Sequence, residues 1–224
     1  MIPAAHQTML APPALPYDAE VEYLDSTGLA NNGGPYVSTG IIPNPDDFTF
    51  TIDWTPFAVN RQEPMNGIAG ATTNGRASIG MATPSGNTLY WGINNLNIYG
   101  SIPWTSGTRL VQWLHIAGNS ATYGYNTTTL SASVNRYDNN YKPVFIFARN
   151  NYPEAEKPAI NRYQTTRVYS CQIENGGVLV RDYIPVRVGS GSSAVGYLYD
   201  RVSGELFGNA GTGAFVVGPD KNGA

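Results

Sequence analysis

The chain has 224 residues, with 13% charged residues, 12% aromatics, 25 Gly and 16 Pro. The charged fraction is about half the usual 25%, which excludes a coiled coil or helical bundle, and the many aromatics argue against simple disorder. The formal net charge of −3, without any basic cluster, excludes a nucleic-acid footprint, and the longest apolar run, 144–148, is far too short to cross a bilayer as a helix.

Residues 1–16 read MIPAAHQTMLAPPALP. No Lys or Arg precedes the apolar part, and Pro3, Pro12, Pro13 and Pro16 interrupt it, so the pattern of a secretory signal is missing. An extended, polyproline-like arm is expected over 1–18. Two uses are open to it: a loose tail, or a strap that orders on a partner or a neighbouring subunit. From Asp18 onward the period is mostly two. Glu20–Leu24 alternates and Asp25–Gly28 turns, and Tyr36–Ile42 is a strand stopped by Pro43 and Pro45. In 48–54 the apolar Phe48, Phe50, Ile52 and Trp54 face one way and Thr49, Thr51 and Asp53 the other.

Short strands follow over 66–71, 77–82, 89–93, 109–117, 121–125 and 130–134, separated by turn signals such as Asn74-Gly75 and Gly118-Asn119. Lys142–Ala148 reads as a buried strand without alternation. Residues 149–165 form the most polar segment and are expected to be a loop or a short helical turn. Arg167–Glu174 and Val178–Val186 flank Gly176-Gly177 and read as a β-hairpin. Strands at 195–199, 205–207 and 214–217 close the chain. The whole predicts an all-β fold: a two-sheet antiparallel β-sandwich of jelly-roll type. It divides into an arm, 1–18, one domain, 19–219, and a tail, 220–224. The single cysteine, Cys171, allows no intrachain disulfide and is read as a core filler.

Two stretches carry a family likeness. VEYLDSTG (21–28) with YVSTGIIP (36–43) resembles the start, and VRDYIPVR (180–187) with VGYLYDRVSGELFGNAGTGAFVVGP (195–219) the end, of LamG-like jelly rolls in the concanavalin A-like lectin/glucanase superfamily. The resemblance implies that the two ends pair side by side and close the sheet, with Gly204, Gly208, Gly211 and Gly213 making the turns. It also implies a setting among phage structural proteins or bacterial surface proteins. Calcium is an option that such domains take at the sandwich rim, for which Asp46, Asp47, Asp138 and Asp200 are the candidates, although no spacing isolates a site.

Catalytic signatures are missing. Glycosidases of this fold carry Glu-x-Asp-x-x-Glu on one strand, and none of the seven glutamates sits in that pattern; Glu20 and Glu22 share a face without a third carboxylate on their strand. His115 has no Gly-x-Ser-x-Gly partner, and no phosphate loop occurs. The expectation is a non-enzymatic protein without a cofactor. Sugar recognition needs flat aromatic faces flanked by amides and hydroxyls. LYWGINNLNIYGSIPW (89–104) offers Trp91, Asn94, Asn95, Tyr99 and Trp104, and the loop YDNNY offers Tyr137, Asn139 and Tyr141. The competing readings are that Trp91 and Trp104 are core and that Asn94-Asn95 is a hairpin turn.

The function expected from these readings is a virion component of a phage (capsid, tail fibre or decoration protein) whose jelly roll binds host polysaccharide. Its arm would contact other virion proteins or copies of itself, with no nucleic-acid or membrane partner. A secreted or cell-surface bacterial carbohydrate-binding module is the alternative, and a glycoside hydrolase with an unfamiliar pair at Glu20 and Glu22 comes third.

Overall fold

A computed structural model describes residues 14–26, 34–57, 69–71, 77–82, 88–94, 96–136, 141–148, 150 and 166–221, with backbone alone at 69–71, 78, 80–82, 97 and 99–103. Among the described residues the structure is all-β, and the one helical piece is a single 3-10 turn at Gly191–Ser193.

The large sheet is antiparallel and starts at β4 (Phe48–Pro56), the strongest alternating run in the sequence. Its Phe48, Phe50, Ile52 and Trp54 are buried and its Thr49, Thr51 and Asp53 half-buried, as a strand with one face on the core should be. On one side β4 pairs with β9 (Leu110–Ala117), followed outward by β10 (Ser120–Tyr125) and β11 (Thr128–Ser133). On the other side come β13 (Thr166–Asn175), β14 (Val178–Val188), β15 (Val195–Asp200) and β16 (Glu205–Phe207). The Gly176-Gly177 turn joins β13 to β14 with Asn175 opposite Val178, and both glycines have positive φ, as the primed hairpin turn requires.

The chain ends meet as the closing motifs imply. The expected strand over 20–24 is split: β1 (Ala19–Glu20) runs along β14, and β2 (Leu24–Asp25) has crossed to β13. Between them, Val21 donates its N–H to Pro185 O. The last strand, β17 (Val216–Val217), pairs with β2, and Gly218 N–H bonds Tyr23 O at 2.9 Å. This wedge covers backbone that β13 and β14 no longer share, so the opening in the sheet is filled by both ends at once. Of the four glycines assigned to this closure, Gly204 and Gly213 have positive φ, whereas Gly211 serves by close approach: a Cβ there would lie 2.1 Å from Gly34 O.

The second layer consists of β5 (Ala69–Ala71), β6 (Ala77–Ala82), β7 (Thr88–Ile93) and β8 (Leu96–Pro103), with the short pair β3 (Val37–Ser38) and β12 (Phe145–Ile146) beside it. Only two residues of the run 142–148 pair as a strand, but Val144–Ala148 are all buried, as the absence of alternation suggests. Apolar side chains from both layers form one core that includes Trp54, Trp91, Phe145 and Leu198. Phe147 holds a φ of 69° in that core, with its ring 4.6 Å from Phe215. A bulky residue in this region is unusual, and ring packing within the core holds it there. Cys171 is buried among these side chains, and burial pushes its thiol pKa well up, consistent with a filler.

Candidate functional site

Of the residues expected to carry a sugar site, Trp91, Asn94 and Tyr141 are built into the fold. Trp91 is completely buried, its Nε1–H donates to Trp113 O at 3.0 Å, and its ring packs on Tyr123 at 5.1 Å, so no face of the indole is open to a ligand. Burial runs through Leu89–Ile93 without alternation, because this strand is covered on both faces. Asn94 opens the β7–β8 turn with a φ of 49°, which is the hairpin reading of Asn94-Asn95. Its amide is spent internally: Nδ2 donates to Asn135 O at 2.6 Å, and Oδ1 accepts from the Tyr141 hydroxyl. Tyr141 is therefore a buried pin, and burial raises its pKa to about 12. Trp104 is partly buried, donates to Thr108 O at 3.0 Å and meets Tyr125 edge-on. The backbone of Tyr99 pairs with Tyr90, and its side chain lies outside the described residues, as do Asn95, Tyr137 and Asn139 altogether.

Among the described residues, no strand covers the outer face of the large sheet. On β9 the buried face carries Leu110, Leu114 and Ile116, and the same parity points Gln112 inward, fully buried with its Nε2 donating to Tyr90 O, and Trp113 outward, partly exposed. Trp113 lies opposite Thr51 on β4 and Gly124 on β10. A Cβ on Gly124 would lie 2.0 Å from Thr128 O and 2.7 Å from the indole, so the bare glycine admits both the close backbone and the ring that lies across the sheet. Beside it, Thr49 Oγ1 is 2.9 Å from His115 Nδ1, and Asp47 is 3.8 Å from the same nitrogen.

Toward β13 the face continues as a ladder of rings and guanidinium groups. The β4–β13 register shifts between Val168 and Ser170, and this bulge inserts Tyr169 as an extra outward residue. Arg109 stacks 3.7 Å above the Tyr169 ring and clasps Asp53 with both Nε and Nη2, at 2.8 and 2.7 Å. The hydrogen bonds to Asp53 hold the Arg109 pKa above its usual value. Tyr23 meets Tyr169 edge-on at 5.7 Å and carries Arg167 over its ring at 4.1 Å, and Arg167 pairs with Asp25. Thr55 Oγ1 lies 3.2 Å from the Tyr169 hydroxyl. This surface combines flat rings, hydroxyls and fixed polar groups on a rigid scaffold, the chemistry of a sugar platform. The sequence signal that marks it is the Trp113/Gly124 pair together with the outward parity of β9.

Six of the described aspartates pair with arginines: Asp25, Asp46, Asp53, Asp182, Asp200 and Asp220 with Arg167, Arg136, Arg109, Arg201, Arg181 and Arg187. Glu20 lies 3.6 Å from Lys221 at the closing seam, and Glu22 is exposed beside the ladder. Two of the calcium candidates do not fit a cation. Asp200 is buried and accepts from the N–H groups of Asp182, Val202 and Ser203 and from the Ser203 hydroxyl, and Asp46 is held by Arg136. Calcium takes six or more oxygens, and these carboxylates face donors instead. Asp138 lies outside the described residues.

No protein-family model and no curated protein sequence matches the chain. Among solved structures it is similar to a heptameric SAP-like pentraxin from Limulus polyphemus, at 12% identity and a TM-score of 0.56, over 91% of this chain and 96% of that one. It is also similar to a Bacteroides ovatus protein described as carbohydrate-binding, at 11% identity and a TM-score of 0.58, over 88% of this chain and 60% of that one. The chain thus has the concanavalin A-like jelly-roll fold, as its two end motifs imply. At such low identity the likeness concerns the fold, which hosts many functions.

Proposed function

We propose that the chain is a non-enzymatic glycan-binding jelly roll whose recognition surface is the outer face of the large sheet. The observation that carries this reading is Trp113 laid across Gly124, beside a ladder in which a bulge turns Tyr169 outward under Arg109. Sugar rings stack their C–H faces on an indole such as that of Trp113, and the half-buried Thr49 and Thr51 and the Arg109–Asp53 pair supply hydroxyl partners at fixed positions. Each guanidinium in the ladder is already neutralised, by Asp53 or Asp25, and Glu22 adds a further negative charge. Among the described residues no arginine or lysine of this ladder is left unpaired for a carboxylate or sulfate, so the ligand class is a neutral glycan. The same pairing supports the non-enzymatic reading, since Asp25 and Asp53 are engaged by guanidinium groups rather than open to a substrate.

The proposed setting is a phage virion, as a capsid, tail-fibre or decoration component that presents this face to the host surface, with the Pro-rich arm contacting other virion proteins or further copies. The likeness to the Bacteroides ovatus protein favours a second setting, a secreted or cell-surface carbohydrate-binding module. Native affinity electrophoresis through gels carrying a neutral glucan, mannan or galactan tests the binding. Retardation by one of them that is lost in Trp113→Ala is the expected result, and free migration through all of them would overturn it. Mass spectrometry of purified particles separates the two settings.

A further inference from the structure

Among the described residues, the strand at one end of the large sheet, β11, pairs on one side only and has an edge without the usual safeguards. Exposed edges are templates for pairing, and proteins blunt them with charges, prolines, bulges or very short strands. Two other described edges show this. The last strand on the far side, β16, has three residues and begins with Glu205, and β8 ends in Pro103 with a register shift against β7. By contrast, β11 (TTLSAS) pairs with β10 along all its residues without a shift, and no charged residue occurs from 127 to 135.

The direction of its backbone groups follows from the turn. Tyr125 pairs with Thr128 across Asn126-Thr127, and Asn126 has a φ of 47°. In a hairpin with this loop length the closing pair is mutually hydrogen-bonded, so Thr128, Leu130 and Ala132 face β10. Thr129, Ser131 and Ser133 then direct N–H and C=O away from the sheet. The Val134 N–H, bonded to Asn119 O at 3.0 Å, keeps the same parity.

We propose that a second copy of this chain pairs its β11 with β11 in antiparallel fashion, about a two-fold axis at Ser131. The strand is complementary to itself in this arrangement. Thr129 of each copy meets Ser133 of the other, and these residues and Ser131 exchange their main-chain hydrogen bonds. Their hydroxyls line up on the outer face, where cross-strand Thr–Ser pairs are favourable. On the inner face Leu130, 37% exposed in the single chain, covers Ala132 of the other copy. The nearest charge beyond the strand, Arg136, is tied to Asp46. The axis sets the two Arg136 residues apart by about ten strand positions, roughly 34 Å, so no like charges meet. Residues 1–16, with four prolines that lack donors, suit the edge less well than β11 does. The axis is perpendicular to the sheet, so both outer faces point the same way. Resting on the glycan reading, the pair would present two recognition faces to one surface.

Sedimentation velocity of the full chain, at concentrations from about one to hundreds of micromolar to suit a small interface, tests this without any glycan. The mass is expected to rise with concentration from 24.1 kDa toward twice that value. Ser131→Pro removes the central outward donor and leaves the bonds to β10 intact. Ser131→Lys sets like charges against each other across the axis. Each is expected to hold the chain at the single-copy mass with an unchanged far-UV spectrum. Should Ser131→Pro fail to fold, Ser131→Lys decides. A wild-type mass of one copy throughout, or a doubled mass that survives Ser131→Lys, would overturn the proposal.

Discussion

Closure of the sheet by both chain ends makes a sharp prediction at Gly196. This residue lies on β15 with its missing side chain aimed inward, and a Cβ built there would sit 2.5 Å from Leu24 Cδ2, 3.2 Å from Val217 Cγ2 and 3.5 Å from Phe215 Cβ. The first distance is well inside van der Waals contact. Leu24 is completely buried and is held in register with Val168 on one side and Val217 on the other, so it has little room to retreat. Overpacking of this kind costs about 1–3 kcal/mol, so Gly196→Ala is expected to be destabilising by that amount. Leu24→Ala alone leaves a cavity at the junction of the two ends and costs about 2–5 kcal/mol. In the double variant the new methyl group enters the space that Leu24 vacates, so the two effects should fall short of additivity by about 0.5–3 kcal/mol. Urea unfolding of the four proteins measures the cycle, with thermal midpoints moving about 2–4 °C per kcal/mol for a chain of this size. Strict additivity would refute the reasoning, because it would mean that Leu24 and Gly196 do not share a contact.

Tyr141 should give the fold an alkaline limit. Its pKa rises from 10.0 to about 12 through burial, so folding favours the neutral phenol. The stability tied to it is present below pH 10 and is lost as pH climbs toward 12, by about 2–3 kcal/mol; Tyr141→Phe should flatten that part of a pH–stability curve. At neutral pH the same variant leaves Asn94 Oδ1 buried without its donor and is expected to cost about 1–3 kcal/mol in denaturant unfolding. Cys171 should resist a thiol reagent in the native state and react in step with unfolding, since burial raises its pKa; rapid native labelling would contradict its place in the core. Gly124→Ala would set a Cβ 2.0 Å from Thr128 O and 2.7 Å from the Trp113 indole, so it should both strain the β10–β11 turn, lowering the urea midpoint, and displace the ring, seen as a shifted tryptophan emission.

The period of two, turn dipeptides and sparse charge were enough to specify an all-β sandwich, since alternation along 48–54 and the Gly176-Gly177 hairpin depend only on local chemistry. The matching motifs at 21–28 and 195–219 likewise announced that the ends close on each other. Alternation says that a strand has two faces, but not which of them meets the other layer. That choice was made by packing: it buried Gln112 and left Trp113 outside, and it covered 89–93 on both sides, which removed Trp91 from any site. Asn94 and Tyr141 looked like sugar ligands because a buried amide and a binding amide are the same residue type, and only the position of Asn135 distinguishes them. The bulge at Tyr169, the stack of Arg109 upon it and the glycine beneath Trp113 join residues far apart in the chain, so they exist only once neighbouring strands fix the register. The amino-acid order thus dictated what kind of surface could form, and the pairing of strands decided which side chains compose it, because orientation and cross-strand contact are properties of the assembled sheet.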